Sequence, residues 1–444
     1  MVWNRPQIAW KSGSVPPTQR PRQISPQRPR RVSAAAVVAS ALMSGVGSYV
    51  LIIIVAKSVS TDAYAQFAVF WSIAAVVGLG VYFPIEQETA RDFAGRERAA
   101  RGRLRRVAFG FAGLVSAILV ALSLALLAAP AGVEFIGSPA LIVALCVAYL
   151  GYFIQFPTRG LLSGAHHAGG YAVVVSTEGI VRIAFAALVA LAAATIPGLA
   201  DPAVFALAVG VAAALSALPA FLRRFRVSEA PHGAFGPFSS RASQLIAAAF
   251  AIQLLINSSV LIARGFAETD ATLAGQLLST LAIARIPVFM YQVVQVLYMP
   301  HLASAWKRGA VADARRTVVL VAAGVAAIGV LTVGGMLWLG PWVIGLFFTP
   351  ELVLAAGPLF LLTTGVALFL LAQALSDAAL ACGGHTVLLG TWLAAAAAAV
   401  VSIFLTPDST ARTVVPLVVG SAVACLGFAV FLTLRLGRQG NALQ

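Results

Sequence analysis

Twelve long apolar stretches, separated by short polar gaps, run through the chain from residue 33 to residue 434. About 20 mostly apolar residues suffice for a helix to cross the hydrocarbon core of a bilayer. Inside that core, backbone N–H and C=O groups must be paired within the segment itself. A chain patterned this way is expected to fold as an all-α, polytopic membrane protein. The stretches are read as 33–56, 63–84, 107–129, 139–157, 170–195, 202–222, 242–263, 271–299, 317–339, 353–377, 386–405 and 413–434. Charged residues make up only 10% of the chain, against roughly 25% in soluble proteins. The gaps are too short for a soluble catalytic domain.

Orientation follows from the basic residues. Of the 30 Lys and Arg, all but five fall in the tails or the even-numbered gaps. Lys57, Arg264 and Arg412 fall in odd-numbered gaps, while Arg182 and Arg285 lie inside apolar stretches. Basic residues stay on the cytoplasmic side when helices insert, so both termini are expected inside. The net charge of +15 is then the sum of this bias and of attraction to anionic lipid, and no nucleic-acid partner is expected. Residues 1–32 hold seven basic residues, six prolines and no acid. That composition predicts a disordered cytoplasmic tail. The scattered cysteines Cys146, Cys382 and Cys425 have no redox or ligand spacing. The five histidines fall at helix ends and loops without clustering, so no metal or cofactor is expected.

The chain also repeats itself. Tyr82-Phe83-Pro84 ends the second stretch and Tyr298-Met299-Pro300 the eighth. Gly160-Leu161-Leu162-Ser163-Gly164-Ala165-His166 ends the fourth, and Ala379-Leu380-Ala381-Cys382-Gly383-Gly384-His385 the tenth. Val55-Ala56-Lys57 with Thr61-Asp62-Ala63 follows the first, and Ile262-Ala263-Arg264 with Thr269-Asp270-Ala271 the seventh. Each pair is separated by close to half the chain, at equivalent boundaries. A duplicated six-span unit accounts for this, and because six is even the halves run parallel, 6+6. The expected division is a tail (1–32), an N-terminal lobe (33–222), a linker (223–241), a C-terminal lobe (242–435) and a second tail (436–444). Two lobes around a central cleft suit alternating access.

Ionisable side chains at membrane depth are costly and mark substrate or ion pathways. Arg285 lies midway along the eighth stretch, two residues before Pro287, which breaks the helical ladder. Its planar fork suits an anionic group such as phosphate. Glu178 and Arg182 are one turn apart, on one face, either as a lumen-facing pair or as a structural one. Arg159 and Asp377 occupy nearly matching positions of the repeat and either polarise the cleft or reach to the headgroups. Gln253 with Asn257, and Gln373 one turn before Asp377, mark polar helix faces. Glu86 and Glu88, ahead of seven arginines from Arg91 to Arg106, are expected on a solvated amphipathic segment at the anionic inner leaflet.

With these residues in place, the chain resembles the Wzx-like polysaccharide flippases of the multidrug/oligosaccharidyl-lipid/polysaccharide exporter superfamily. The resemblance covers nearly everything from residue 33. It rests on the basic tail, the 6+6 spans, the basic gap after the second span and the segment Ala56-Lys57-Ser58-Val59-Ser60-Thr61-Asp62-Ala63-Tyr64-Ala65. That segment departs from the family pattern at Lys57, Val59, Ala63 and Ala65. The resemblance implies a carrier of polyprenyl-pyrophosphate-linked oligosaccharide between leaflets, working with polysaccharide assembly proteins. It carries Arg285 over as a substrate-binding residue, with Glu178 and Asp377 as ion-coupling candidates, while Arg182 and Arg159 stand as further substrate-binding candidates from their own positions. A drug/cation antiporter of the same superfamily is the nearest rival, disfavoured at this level because the first and seventh stretches contain no acid. A membrane glycosyltransferase or polysaccharide polymerase would need larger outer loops. A facilitator with 6+6 spans stays open.

Overall fold

A computed structural model describes residues 34–94, 98–224, 235–265 and 272–441. The tail at 1–32, much of the linker, Thr269-Asp270-Ala271 and the last three residues fall outside that set. The described residues are almost wholly helical, and eleven of their helices are long and apolar enough to cross a membrane, or twelve if one bent pair counts as a span. Large apolar side chains such as Leu188, Leu331 and Phe404 stand more than half exposed on its outside. A surface of that kind suits lipid and not water. The protein is a multi-pass membrane protein.

The first half begins with α1 (Ala34–Ser58) and α2 (Thr61–Val77), then passes through a π-helical turn at Gly78–Tyr82 into α3 (Phe83–Ala94). Ser60 caps α2 by accepting from the Ala63 N–H. The second span therefore does not stop at Pro84. It runs unbroken from Thr61 to Ala94, because proline is tolerated in the first turn of a helix. Next come α4 (Arg98–Ala128), the short α5 (Pro130–Ile136), α6 (Pro139–Gly164), α7 (Ala168–Ala193) and α8 (Pro202–Arg224). The second half follows the same plan with α9 (Phe235–Gly265), α10 (Leu273–Ala284), α11 (Ile286–Lys307), α12 (Val311–Trp338), the short α13 (Gly340–Phe347), α14 (Ala356–Ala381), α15 (His385–Leu405) and α16 (Ser409–Asn441). The eighth span is α10 plus α11, bent by 41° at Arg285.

Within the first half α1 packs on α7, and α6 packs on α3, α4 and α8. Within the second, α14 and α15 pack on α16, and α12 on α14. The α1–α7 seam is backbone to backbone: a Cβ on Gly47 would lie 2.7 Å from the Gly179 Cα. Small residues permit such approach where no hydrophobic effect drives helices together. The two groups meet where α2, the π turn and α3 lie along α9 and where α2 lies along α10. Gly80 sits at that meeting, its Cβ position 3.0 Å from the Phe250 Cα.

Candidate functional site

Four helices of the first half, α1, α3, α6 and α7, bring their polar residues to one buried cluster. Glu86 of α3 is 4% exposed and faces Arg159 of α6, with Oε2 3.0 Å from Nε. Arg159 donates from Nη2 to the Tyr171 hydroxyl at 3.0 Å and lies over the Phe156 and Tyr171 rings. Its Nη1 is 4.0 Å from Oε2 of Glu178 on α7. Glu178 pairs in turn with Arg182, one turn along the same helix. Arg182 donates from Nη1 to the Ser48 hydroxyl of α1 at 2.6 Å. Two carboxylates and two guanidiniums thus alternate along a chain, each charge screened by its neighbours. Neutralisation of this kind is what lets charged groups persist away from water.

Two expectations are corrected here. Glu86 and Glu88 are not on a solvated segment, since Glu88 is fully buried and Glu86 nearly so. The continuous second span turns that face of α3 inward. Arg159 does not reach for headgroups either, because α6 continues past it to Gly164 and its side chain is 13% exposed and ion-paired. Glu86 carried no sequence signal beyond its place on an amphipathic turn, so its part in the cluster was missed.

The second half is arranged differently. Arg285 sits at the bend, as the last residue of α10's cap and the first of α11's. It donates from Nη1 to Asn257 Oδ1 of α9 at 3.2 Å, and from Nη2 to the Ile256 carbonyl. Its Nε is buried without a hydrogen-bond partner. Among the described residues no carboxylate lies within 4.0 Å of it. Asn257 also donates to the Gln253 carbonyl at 2.8 Å, so the predicted polar face of α9 exists and serves as the bracket for Arg285. Asp377 of α14 is 5% exposed and accepts from the Tyr291 hydroxyl of α11 at 2.8 Å. It has no basic side chain within 4.0 Å among the described residues. Gln373 is half-buried one turn away and joins no hydrogen bond there. Of the sequence-selected charged residues, the structure therefore brings only those of the first half together. Arg159, Glu178 and Arg182 form one closed network, while Arg285 and Asp377 are left as single charges with neutral partners.

Where the halves meet, Arg241 of α9 donates from Nε to Glu88 Oε1 at 2.6 Å and lies 3.5 Å from Asp92 Oδ1. Tyr49 of α1 and Phe289 of α11 meet edge to face with ring centroids 5.6 Å apart.

Comparison with known proteins adds the architecture. No family model matches the chain. An uncharacterized protein of Mycobacterium tuberculosis (strain ATCC 25618 / H37Rv) is 26% identical over 400 residues, covering 88% of each chain. Among solved structures, an inward-facing multidrug resistance transporter of the MATE family, in the MOP superfamily, superposes with a TM-score of 0.69 at 12% identity, over 92% of this chain and 99% of that one. The fold is that of the MATE transporters. An outward-facing structure of that family gives 0.58 at 14% identity, covering 91% of this chain and 96% of that one, and a eukaryotic MATE transporter 0.59 at 16%, covering 92% and 98%. These neighbours are transporters, two of them described as multidrug resistance transporters.

Proposed function

We propose that this chain is an alternating-access exporter of small amphipathic molecules, driven by entry of a proton or another cation at Asp377. The observation that carries the reading is the state of that carboxyl, which is buried and held by a tyrosine hydroxyl with no basic neighbour. A buried acid without a counter-charge either takes up a cation or stays protonated. Either choice can be tied to which way the cleft faces. The buried acids of the first half are already paired, Glu86 and Glu178 with Arg159 and Arg182, and Glu88 with Arg91 and Arg241. The shared fold of multidrug transporters solved facing inward and outward supports the same reading. This reverses the preference drawn from sequence, where the absence of acids in the first and seventh spans weighed against an antiporter. The test uses proteoliposomes loaded with a fluorescent cationic dye. Under an imposed proton or sodium gradient the wild type should drive dye movement. Asp377→Asn should abolish the gradient-driven movement while leaving dye exchange at equal ion concentrations. Gradient-driven movement at the wild-type rate in that variant would remove the reading.

Arg285 favours a second reading, a carrier of an anionic lipid-linked glycan. Its fork is half-buried, faces no carboxylate within 4.0 Å among the described residues and keeps its buried Nε–H unpartnered. A pyrophosphate headgroup would supply the missing acceptor. Vesicles containing a polyprenyl-pyrophosphate-linked oligosaccharide would decide it: this reading needs headgroup movement between leaflets that Arg285→Gln reduces at least tenfold, about 1.4 kcal/mol.

A further inference from the structure

The duplicated segments at the ends of the first and seventh spans play no part in either proposed transport site, yet they carry two of the three basic residues that the charge rule leaves on the outer face. Lys57, in the last turn of α1, donates from Nζ to the Leu346 carbonyl of α13 at 3.0 Å. Arg264, in the last turn of α9, donates from Nε and Nη2 to the Glu134 carbonyl of α5 at 3.1 and 2.7 Å. The two contacts are the same contact made twice. Each cation ends the first helix of its half, and each acceptor lies in the short helix that follows the third long helix of the opposite half. Leu346 and Glu134 both sit in the last turn of their helices, where carbonyls lack intrahelical donors and favour a cation. Two residues beyond Leu346, Phe348 packs against Tyr64 of α2, ring centroids 6.4 Å apart. Tyr64 also fills the space beside Gly275 of α10, 3.0 Å from where a Cβ would stand.

We propose that Lys57 and Arg264 are a pseudo-twofold pair of latches that hold the outer mouth of the cleft shut and must both release before it can open outward. The inference rests on the alternating-access reading. It gives that reading a reciprocal lock: each half is fastened by the other, so the mouth opens as one unit. The greater likeness to the inward-facing transporter than to the outward-facing one fits a mouth closed on this side. Both latches are exposed, so each contributes a modest bias, about two- to fivefold in the closed-to-open ratio, and the pair acts as a poise and not a barrier.

The full chain in lipid nanodiscs carries the test. With Cys146, Cys382 and Cys425 replaced by Ala, spin labels go on Thr195→Cys and Ser409→Cys, exposed outer positions of the two halves. Pulsed distance measurement should show a mostly short separation in this background. Lys57→Gln with Arg264→Gln should raise the long-distance population by more than either single change. Lys57→Arg with Arg264→Lys, which keeps both donors charged, should restore the background distribution. If the background lengthens on adding dye or an ion gradient but the double Gln variant is no more open, the latches are wrong and alternating access stands. If no condition lengthens the background, the transport reading falls and the latches fall with it.

Discussion

Arg159 and Glu86, 73 positions apart in the chain, lie 3.0 Å apart in the first-half cluster, with both side chains nearly inaccessible. The pair fastens the end of the second span to the end of the fourth. Through Glu178 it continues to Arg182 and the first span.

Glu86→Gln should therefore destabilise the protein. Removing one partner of a buried pair leaves the other charge uncompensated, at about 3–5 kcal/mol. The residual contact to Glu178, at 4.0 Å, offsets part of it. Thermal unfolding in detergent should fall by several degrees, and adding Arg159→Gln should recover part of the loss. An unchanged melting curve for the single variant would mean the pair is not charged.

Arg285→Gln is expected to do the opposite. That guanidinium already lacks a carboxylate, so its replacement removes a charge without stranding an opposite one, and the Gln amide can still donate to Asn257 or to the Ile256 carbonyl. Stability should hold or rise, while Arg159→Gln lowers it. Parallel melting curves for the two variants separate a structural arginine from a functional one.

Tyr291→Phe should impair coupling without unfolding the protein. It deletes the hydroxyl that meets Asp377 at 2.8 Å and keeps the ring in its buried place. A hydrogen bond to a charged group is worth about 1.5–3 kcal/mol. Gradient-driven dye movement should drop about tenfold, with less effect on exchange at equal ion concentrations. A wild-type response to the gradient would exclude the tyrosine from the coupling site.

Gly179→Leu should be hard to fold. The ideal Cβ of Gly179 lies 2.6 Å from the Met43 carbonyl oxygen and 3.0 Å from the Ser44 Cα, both backbone. The α1–α7 seam must separate to admit any side chain, and overpacking a seam costs about 1–3 kcal/mol or more. Yield of monodisperse protein on size exclusion is the measurement, with Gly198→Leu, which meets open space, as the control.

The membrane-spanning count, the broken eighth span near Pro287 and the Glu178–Arg182 pair were all readable in the sequence, because each is local. Hydropathy, a proline and a four-residue spacing need no knowledge of the fold. What stayed hidden was non-local. Nothing in the sequence marks Glu86 as facing Arg159, and Pro84 with the arginines beyond it imitates a span end. The π turn at Gly78–Tyr82 adds to the disguise by shifting the face that follows it. Asp377 and Arg285 were selected as ionisable residues at depth, but that each stands without an opposite charge is a fact of packing alone.

The alternating cluster of the first half has an electrical consequence. Glu86, Arg159, Glu178 and Arg182 sum to zero, so under the proposed alternating access this cluster moves no net charge through the field. A membrane potential does about 2.3 kcal/mol of work per elementary charge per 100 mV, and on these four residues together it has nothing to pull. In the proposed cycle Asp377, Arg285 and the cargo are then the places where voltage can act, since among the described residues no opposite charge lies within 4.0 Å of either side chain. Transport by this molecule should thus be electrically as silent, or as loud, as its passengers.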